Sequence, residues 1–374
     1  MTIHFSIIPL MLFCASVVYA QNTSPLTPNS SLLIPPYHNR VNAQDTARQP
    51  KPNIIIAGDS IHTRTFQTFA VPVENGDAYA DVVNQYQCIF NPSTPDTQHP
   101  TPNIRVYCMV IPTSAEFYCP DMAQAWTQSQ RISINHIYNL LNDSVTPINA
   151  YSALAAHAEE PIYARTDHHW LPLGAYYAAQ EFARVAGVAF RDLNSYEPHV
   201  IQRFVGSMYR YSGNDQAVNS FPEDFIYYTP LNIRYSTSFV EYTLDKSRKK
   251  VISEKISTEN RFFQPYSDGS SMAYCTFMGG DYRLTHVSTG TKNGRRLLIL
   301  KDSFGNALPA YLFYGFQDIH IVDCRYFTKN LVNYVSDHQI TDILFANNVS
   351  HACLPATTDS YKAYLVQGQT PPSP

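Results

Sequence analysis

Leu297-Leu298-Ile299-Leu300-Lys301-Asp302-Ser303-Phe304-Gly305-Asn306-Ala307-Leu308-Pro309-Ala310 is the stretch around which the chain is organised. Four apolar residues in a row read as a buried strand. Ser303 follows, Gly305 comes close behind, and the apolar run beyond predicts a helix starting at Ser303. A serine at such a strand-to-helix corner stands proud of the sheet. Backbone N–H groups at the start of the next helix point at an oxyanion beside it. That geometry suits a nucleophile, but serine needs a base to become one. The candidate base lies far upstream, in Thr166-Asp167-His168-His169-Trp170.

Outward from this stretch, strands and helices alternate. Asn53 to Ala57, Arg105 to Ile111, Thr146 to Tyr151, 297–301, Ile319 to Asp323 and Ile343 to Ala346 read as strands. Ala78 to Tyr86 has helical spacing, 122–141 is polar and mostly helical, and a further helix is expected over about 328–336. From Pro172 the apolar residues Leu173, Tyr176, Tyr177, Ala179, Phe182 and Val185 fall on one helical face, with Gly187 as the stop. Residues 92–103 are rich in Pro and Thr and read as loop. Near-continuous apolar strands separated by helices predict an α/β fold with a parallel sheet covered on both faces. Active groups in such sheets collect at the carboxyl ends of the strands. Asp167, Ser303, Asp323 and Asn347/Asn348 all come at or just after predicted strand ends.

Residues 188–290 break the alternation. Short β-like runs (Phe225 to Tyr228, Phe239 to Leu244, Ala273 to Phe277) are joined by polar connectors such as Lys246 to Lys250, which predicts a mostly β insertion. The expected organisation is a signal peptide (1–20), a flexible leader (21–52), the first part of the α/β domain (53–187), the β-rich insertion (188–290), the second part (291–356) and a C-terminal tail (357–374).

Hydrophobic residues make up 44% of the 374 and charged residues 15%, enough for a substantial core and too few charges for a disordered chain. A formal net charge of −4 without a basic stripe argues against a nucleic-acid partner. The 27 tyrosines offer sugar-stacking surface, although burial is the commoner fate of such rings. Ile7 to Val18 is mostly apolar, and Val18-Tyr19-Ala20 before Gln21 resembles a signal-peptidase edge, although no Lys or Arg precedes the run. The run falls short of the roughly 20 residues that span a bilayer, which favours a cleaved signal over an uncleaved anchor. The chain is therefore expected to be exported, periplasmic or extracellular. Cys14 lacks a lipoprotein box. The other six cysteines, Cys88, Cys108, Cys119, Cys275, Cys324 and Cys353, permit disulfides or buried thiols, and sequence does not choose between them.

If residues 167–169 are extended, Asp167 and His169 share one face and His168 points the other way. His169 then takes the Ser303 proton, while Asp167 fixes its tautomer. The competing reading makes Asp167 or a histidine a cap for the helix at Pro172, and Ser303 a cap for its own. Asn348 is a candidate donor to an oxyanion, or a turn residue. Arg325 is a candidate for binding an anionic or hydroxyl-rich substrate, or half of an ion pair. A metal is not expected at Asp167, His168 and His169, because adjacent extended histidines diverge and no His-x-x-x-His or Cys-x-x-Cys pair supports one. No cofactor motif is found. Gly58-Asp59-Ser60 competes with Ser303, but its candidate partners, Asp337-His338 and His351, lack the required spacing.

Thr166-Asp167-His168-His169-Trp170-Leu171-Pro172-Leu173-Gly174-Ala175-Tyr176-Tyr177 resembles the signature of the DHHW family, which is similar to the SGNH-hydrolase-like alginate O-acetylation proteins of bacteria. The resemblance extends to Tyr79 to Tyr86, Met109 to Ser114, Lys301 to Asn306 and Asp323 to Phe327. It implies a three-layer α/β/α, flavodoxin-like sheet in permuted order, with the Asp-x-His pair ahead of the serine. It implies Ser303 as nucleophile, His169 as base, Asp167 as orienter and Asn348 near the oxyanion asparagine. The activity implied is that of an exported serine esterase or O-acetyltransferase acting on a polysaccharide, and the expected partners are that polysaccharide and a membrane-bound acyl-transfer protein. The rival reading is a non-catalytic glycan-binding or assembly protein that holds polymer with its aromatic-rich 188–290 region.

Overall fold

The computed structural model describes residue 34 and residues 43–58, 63–92, 103–246, 251–258 and 261–367. Its strands, in chain order, are β1 (Ala47–Lys51), β2 (Ile54–Ala57), β3 (Arg64–Gln67), β4 (Arg105–Ile111), β5 (Val145–Pro147), β6 (Tyr196–Phe204), β7 (Glu223–Pro230), β8 (Tyr235–Leu244), β9 (Val251–Ser257), β10 (Leu284–Thr289), β11 (Arg296–Lys301), β12 (Asp318–Asp323) and β13 (Asp342–Asn348). The longer helices are α1 (Asp77–Phe90), α2 (Gln130–Asn139), α3 (Pro172–Ala186), α4 (Leu331–Asp337) and α5 (Pro355–Val366).

The main sheet has the order β5-β4-β13-β11-β12-β10-β8-β9. β5, β4, β13, β11 and β12 are parallel. β10, β8 and β9 continue the sheet antiparallel. The parallel strands are covered on both faces, which is why they read as unbroken apolar runs. In the register, Tyr107 lies beside Leu344 and Cys108 beside Phe345, so Tyr107 and Phe345 face opposite sides. Phe182 of α3 packs edge-on to Tyr107, at 5.2 Å. Tyr86 of α1 and Tyr361 of α5 pack on Phe345, at 5.0 and 5.2 Å. Helices therefore cover both faces, and the three-layer α/β/α arrangement expected from the sequence is the one observed. Its parallel strands deliver Ile111, Lys301, Asp323 and Asn348 to one edge.

Several local expectations are corrected. Residues 47–51, read as part of a flexible leader, form β1, which pairs with β2 in a separate three-stranded antiparallel sheet with β3. The strand expected over 146–151 stops at Pro147, and Ala150–Ala155 is helical. Ala273–Thr276 is a 3-10 turn rather than β. The helix expected from Ser303 is two 3-10 turns, Ser303–Asn306 and Leu308–Tyr311. Pro309 lacks the N–H that a continuous ladder needs, and the Asp302 side chain holds the Phe304 N–H instead. The stretch read as a tail carries most of α5, with Tyr361 buried in the core. The expected signal segment, Cys14 and Ser60 lie outside the described residues. Cys108, Cys275, Cys324 and Cys353 form no disulfide among the described residues.

His320 of β12 is 2% exposed. Its ring stacks on His286 of the neighbouring strand at 4.4 Å, lies 4.9 Å from His338, and shares Nδ1 with the Tyr334 hydroxyl at 2.7 Å. Burial first, then the neighbouring His286 and His338, push its pKa down to about 2. The unfolded chain titrates at roughly 6.5. A folded pKa below the unfolded one gives stability that is complete above the unfolded value and lost as pH falls toward the folded one. The melting temperature should therefore drop between about pH 6.5 and pH 4, and His320→Leu should flatten that slope. Thermal melts across this range test it, and equal slopes in the two proteins would sink it.

Candidate active site

The Thr166–Trp170 segment is a tight bend. It closes with an antiparallel bridge between Tyr163 and Trp170 and a bond from the Ala164 N–H to the His169 carbonyl at 3.3 Å. Asp167 Oδ1 accepts the His169 backbone N–H at 3.0 Å and lies 2.6 Å from His169 Nδ1. Asp167 Oδ2 accepts the Ser207 backbone N–H at 2.8 Å. His169 Nε2 lies 2.8 Å from Ser303 Oγ. Asp167, His169 and Ser303 thus form one unbroken line of hydrogen bonds.

Burial alone raises the Asp167 pKa, but His169, His168 and the Ser207 N–H outweigh it and hold the carboxyl well below the usual carboxylate range. An ionised carboxylate only accepts, so Nδ1 of His169 carries the proton and Nε2 keeps its lone pair toward the Ser303 hydroxyl. His168 does not point away. Its ring centroid sits 3.7 Å from that of His169, and its Nδ1 is 2.6 Å from Ser207 Oγ. The alternation of an extended strand does not apply inside a bend. Burial, then the neighbouring His169, push the His168 pKa down to about 3.

Ser303 opens the 3-10 turn after β11. Its position is set by Asp302, whose Oδ2 accepts the Asn348 N–H at 2.7 Å and the Asn347 amide at 3.3 Å. This carboxylate ties the end of β11 to the end of β13. Asn348 stands one hydrogen bond from Asp302, and its side-chain oxygen caps the next turn through the N–H groups of Ser350 and His351. Arg325 makes a fork on Asp323, at 2.8 and 2.7 Å, and reaches Asp281 at 2.8 Å. Both carboxylates also lie beside the buried Lys301, at 2.8 Å from Asp323 and 3.7 Å from Asp281. The competing partners of the Gly-Asp-Ser stretch are engaged elsewhere. His338 packs on Tyr334 at 4.2 Å, and His351 Nδ1 lies 3.3 Å from the Thr357 hydroxyl.

A family model described as DHHW protein matches residues 51–322. The chain belongs to the DHHW family. A crystal structure of a DHHW family protein from Eubacterium siraeum is 31% identical, covers 85% of this chain and 97% of its own, and superposes with a TM-score of 0.73. Bacillus cereus PatB1 is 18% identical over 84% of this chain and 99% of its own, with a TM-score of 0.61. A second structure of PatB1, with a sulfonyl adduct, is 16% identical over 84% of this chain and 97% of its own, with a TM-score of 0.60. At these identities the PatB1 likeness shows the fold. No curated protein matches the chain.

In this DHHW protein several residues around the serine were not singled out from sequence. Tyr274 stacks flat on His169, 3.9 Å between centroids and 6° between planes. Its hydroxyl donates to the carbonyls of Ser303 and Phe304, at 3.0 and 2.8 Å. The Trp170 indole N–H donates to the Phe304 carbonyl at 2.9 Å. Trp170 had a signal, since it closes the quoted motif, whereas nothing marks Tyr274, Gly206 or Ser207. Asp167, His168 and His169 bring ligand atoms within 4.8 Å of one another, the one such metal-sized group among the described residues. Both His169 nitrogens and both Asp167 oxygens already carry hydrogen bonds, which a cation would displace.

Gly206 explains itself by space rather than conformation. Its φ of −87° is ordinary, but a Cβ would fall 2.4 Å from both Cβ and Oδ2 of Asp167. Gly206→Ala should push the carboxylate off its line and lower stability by about 1–3 kcal/mol, as overpacking does. Chemical denaturation measures this, and an unchanged midpoint would contradict it.

Proposed function

We propose that this DHHW protein is an exported serine esterase or O-acetyltransferase acting on a polysaccharide. The observation that carries the reading is the line from Asp167 through His169 to Ser303, at 2.6 and 2.8 Å. As the Ser303 oxygen bonds to an acyl carbon, His169 Nε2 takes the hydroxyl proton and Asp167 stabilises the imidazolium. His169 then returns the proton to the leaving oxygen as the ester bond breaks, which leaves an acyl-serine. A sugar hydroxyl or water repeats the sequence in reverse. Transfer requires that the site exclude water while the sugar is seated.

Asn348 is proposed to supply its amide to the oxyanion. Arg325, already neutralised by two carboxylates, is proposed to offer hydrogen bonds to hydroxyl groups rather than a bare charge to an anion. The SGNH-like fold supports the reading, as does the PatB1 structure with a sulfonyl adduct, since sulfonyl groups attach to activated nucleophiles. Export is proposed on the first twenty residues; among the described residues no helix is long and apolar enough to cross a membrane. A membrane-bound partner that presents the acyl donor belongs to the same proposal.

Ser303→Ala should cut turnover of a chromogenic acetyl ester by about 10³-fold or more. It should also abolish labelling by a fluorophosphonate or sulfonyl fluoride. A wild-type protein that takes no label and turns over no ester, yet retains polysaccharide on an affinity gel, would favour the non-catalytic reading.

A further inference from the structure

The two hydrogen bonds of His169 fix the ends of its ring, at Asp167 and at Ser303. Two anchor points leave one rotation, the tilt of the imidazole about the line between them. They also leave the distance between base and nucleophile to the stiffness of two unrelated loops. Both freedoms matter, because misplacing a reacting group by about 1 Å can cost about 10²-fold in rate.

Both faces of the ring are covered. On one side Tyr274 lies flat, 3.9 Å away, with its hydroxyl on the carbonyls of Ser303 and Phe304. On the other, His168 packs at 3.7 Å with its Nδ1 on the Ser207 hydroxyl. The Ser207 N–H in turn holds the Asp167 oxygen that His169 does not use. One flanking ring is thus tied to the serine arm of the site and the other to the aspartate arm.

We propose that Tyr274 and His168 are positioning residues that clamp the His169 imidazole, Tyr274 setting its distance and angle to the serine turn and His168 setting them to Asp167. This rests on the esterase reading above. A tyrosine present only to fill the core would work equally well as phenylalanine. Here the hydroxyl spans to the nucleophile's own carbonyl, and the Trp170 indole N–H supports it at 3.1 Å. Burial keeps the Tyr274 phenol protonated far above neutral pH, so it remains a donor wherever the enzyme works.

Tyr274→Phe keeps the ring and cuts the tether. The expected result is a kcat for a small acetyl ester about 10-fold lower, a KM within about twofold, and a melting temperature close to that of the wild type. The rate of Ser303 labelling should fall by the same factor as kcat. His168→Phe tests the other face. It should lower kcat similarly and broaden or shift the low-field proton resonance of His169 Nδ1–H, which Tyr274→Phe should leave in place. Wild-type kcat and labelling rate in Tyr274→Phe would overturn its role, as would an unmoved resonance and kcat in His168→Phe for the other ring. If Tyr274→Phe does not fold, His168→Phe carries the test. A wild-type protein with neither turnover nor labelling is a different failure: it removes the esterase reading, and the clamp with it.

Discussion

Asp302 is the side chain on which the site's geometry depends. It is fully buried, it accepts the Phe304 N–H through one oxygen, and through the other it accepts the Asn348 N–H and the Asn347 amide. These bonds fold the chain into the 3-10 turn that begins at Ser303, and they lock that turn to the end of the adjacent strand. A buried carboxylate left without such partners would be costly, so the turn has one well-satisfied geometry rather than several. The serine hydroxyl is aimed by that constraint, and His169 meets it from a bend closed by its own bridge.

The sheet supplies the second constraint. β11 lies between β12 and β13, all three parallel, so Ser303, Asp323 with Arg325, and Asn348 leave the sheet on one side. The cluster of Lys301, Asp281, Asp323 and Arg325 then packs two cations with two carboxylates beside the serine turn. Breaking such a buried pair costs far more than forming it gains, which makes the cluster a device for fixing positions. Lys301 and Arg325 together hold Asp281 down to about 2, against its burial, so Asp281 stays ionised and keeps its bond with the Asn306 amide at 2.9 Å. The serine turn is thereby held at Asp302 and at Asn306.

Much of this was legible in the residues. The apolar runs of β4, β11, β12 and β13 announced a parallel sheet, because strands buried on both faces have no polar alternation to confuse the reading. Helices α1 and α3 followed from spacing and from Pro172 and Gly187. Asp167 and His169 were paired by their separation, and the structure does bring His169 Nδ1 to 2.6 Å from Asp167 Oδ1. The reason was different from the one expected: a bend, not an extended strand, which is also why His168 stacks on His169 instead of diverging. The helix expected after Ser303 was misread because local periodicity does not reveal that Asp302 would take the Phe304 N–H or that Pro309 would break the ladder.

By itself the sequence determined the layer architecture and the strand ends where polar groups gather, and it offered the pair Asp167 and His169 and, apart from it, Ser303 as candidates that only the family resemblance joined. These are properties of short windows, set by burial, turn chemistry and propensity. The tertiary structure alone decided that β8, β9 and β10 extend the main sheet, that Tyr274 covers the ring of His169, and that Gly206 leaves room for the Asp167 carboxylate. Each of these joins segments tens of residues or more apart, and contacts across such separations are chosen by packing of the whole molecule, which no local pattern records.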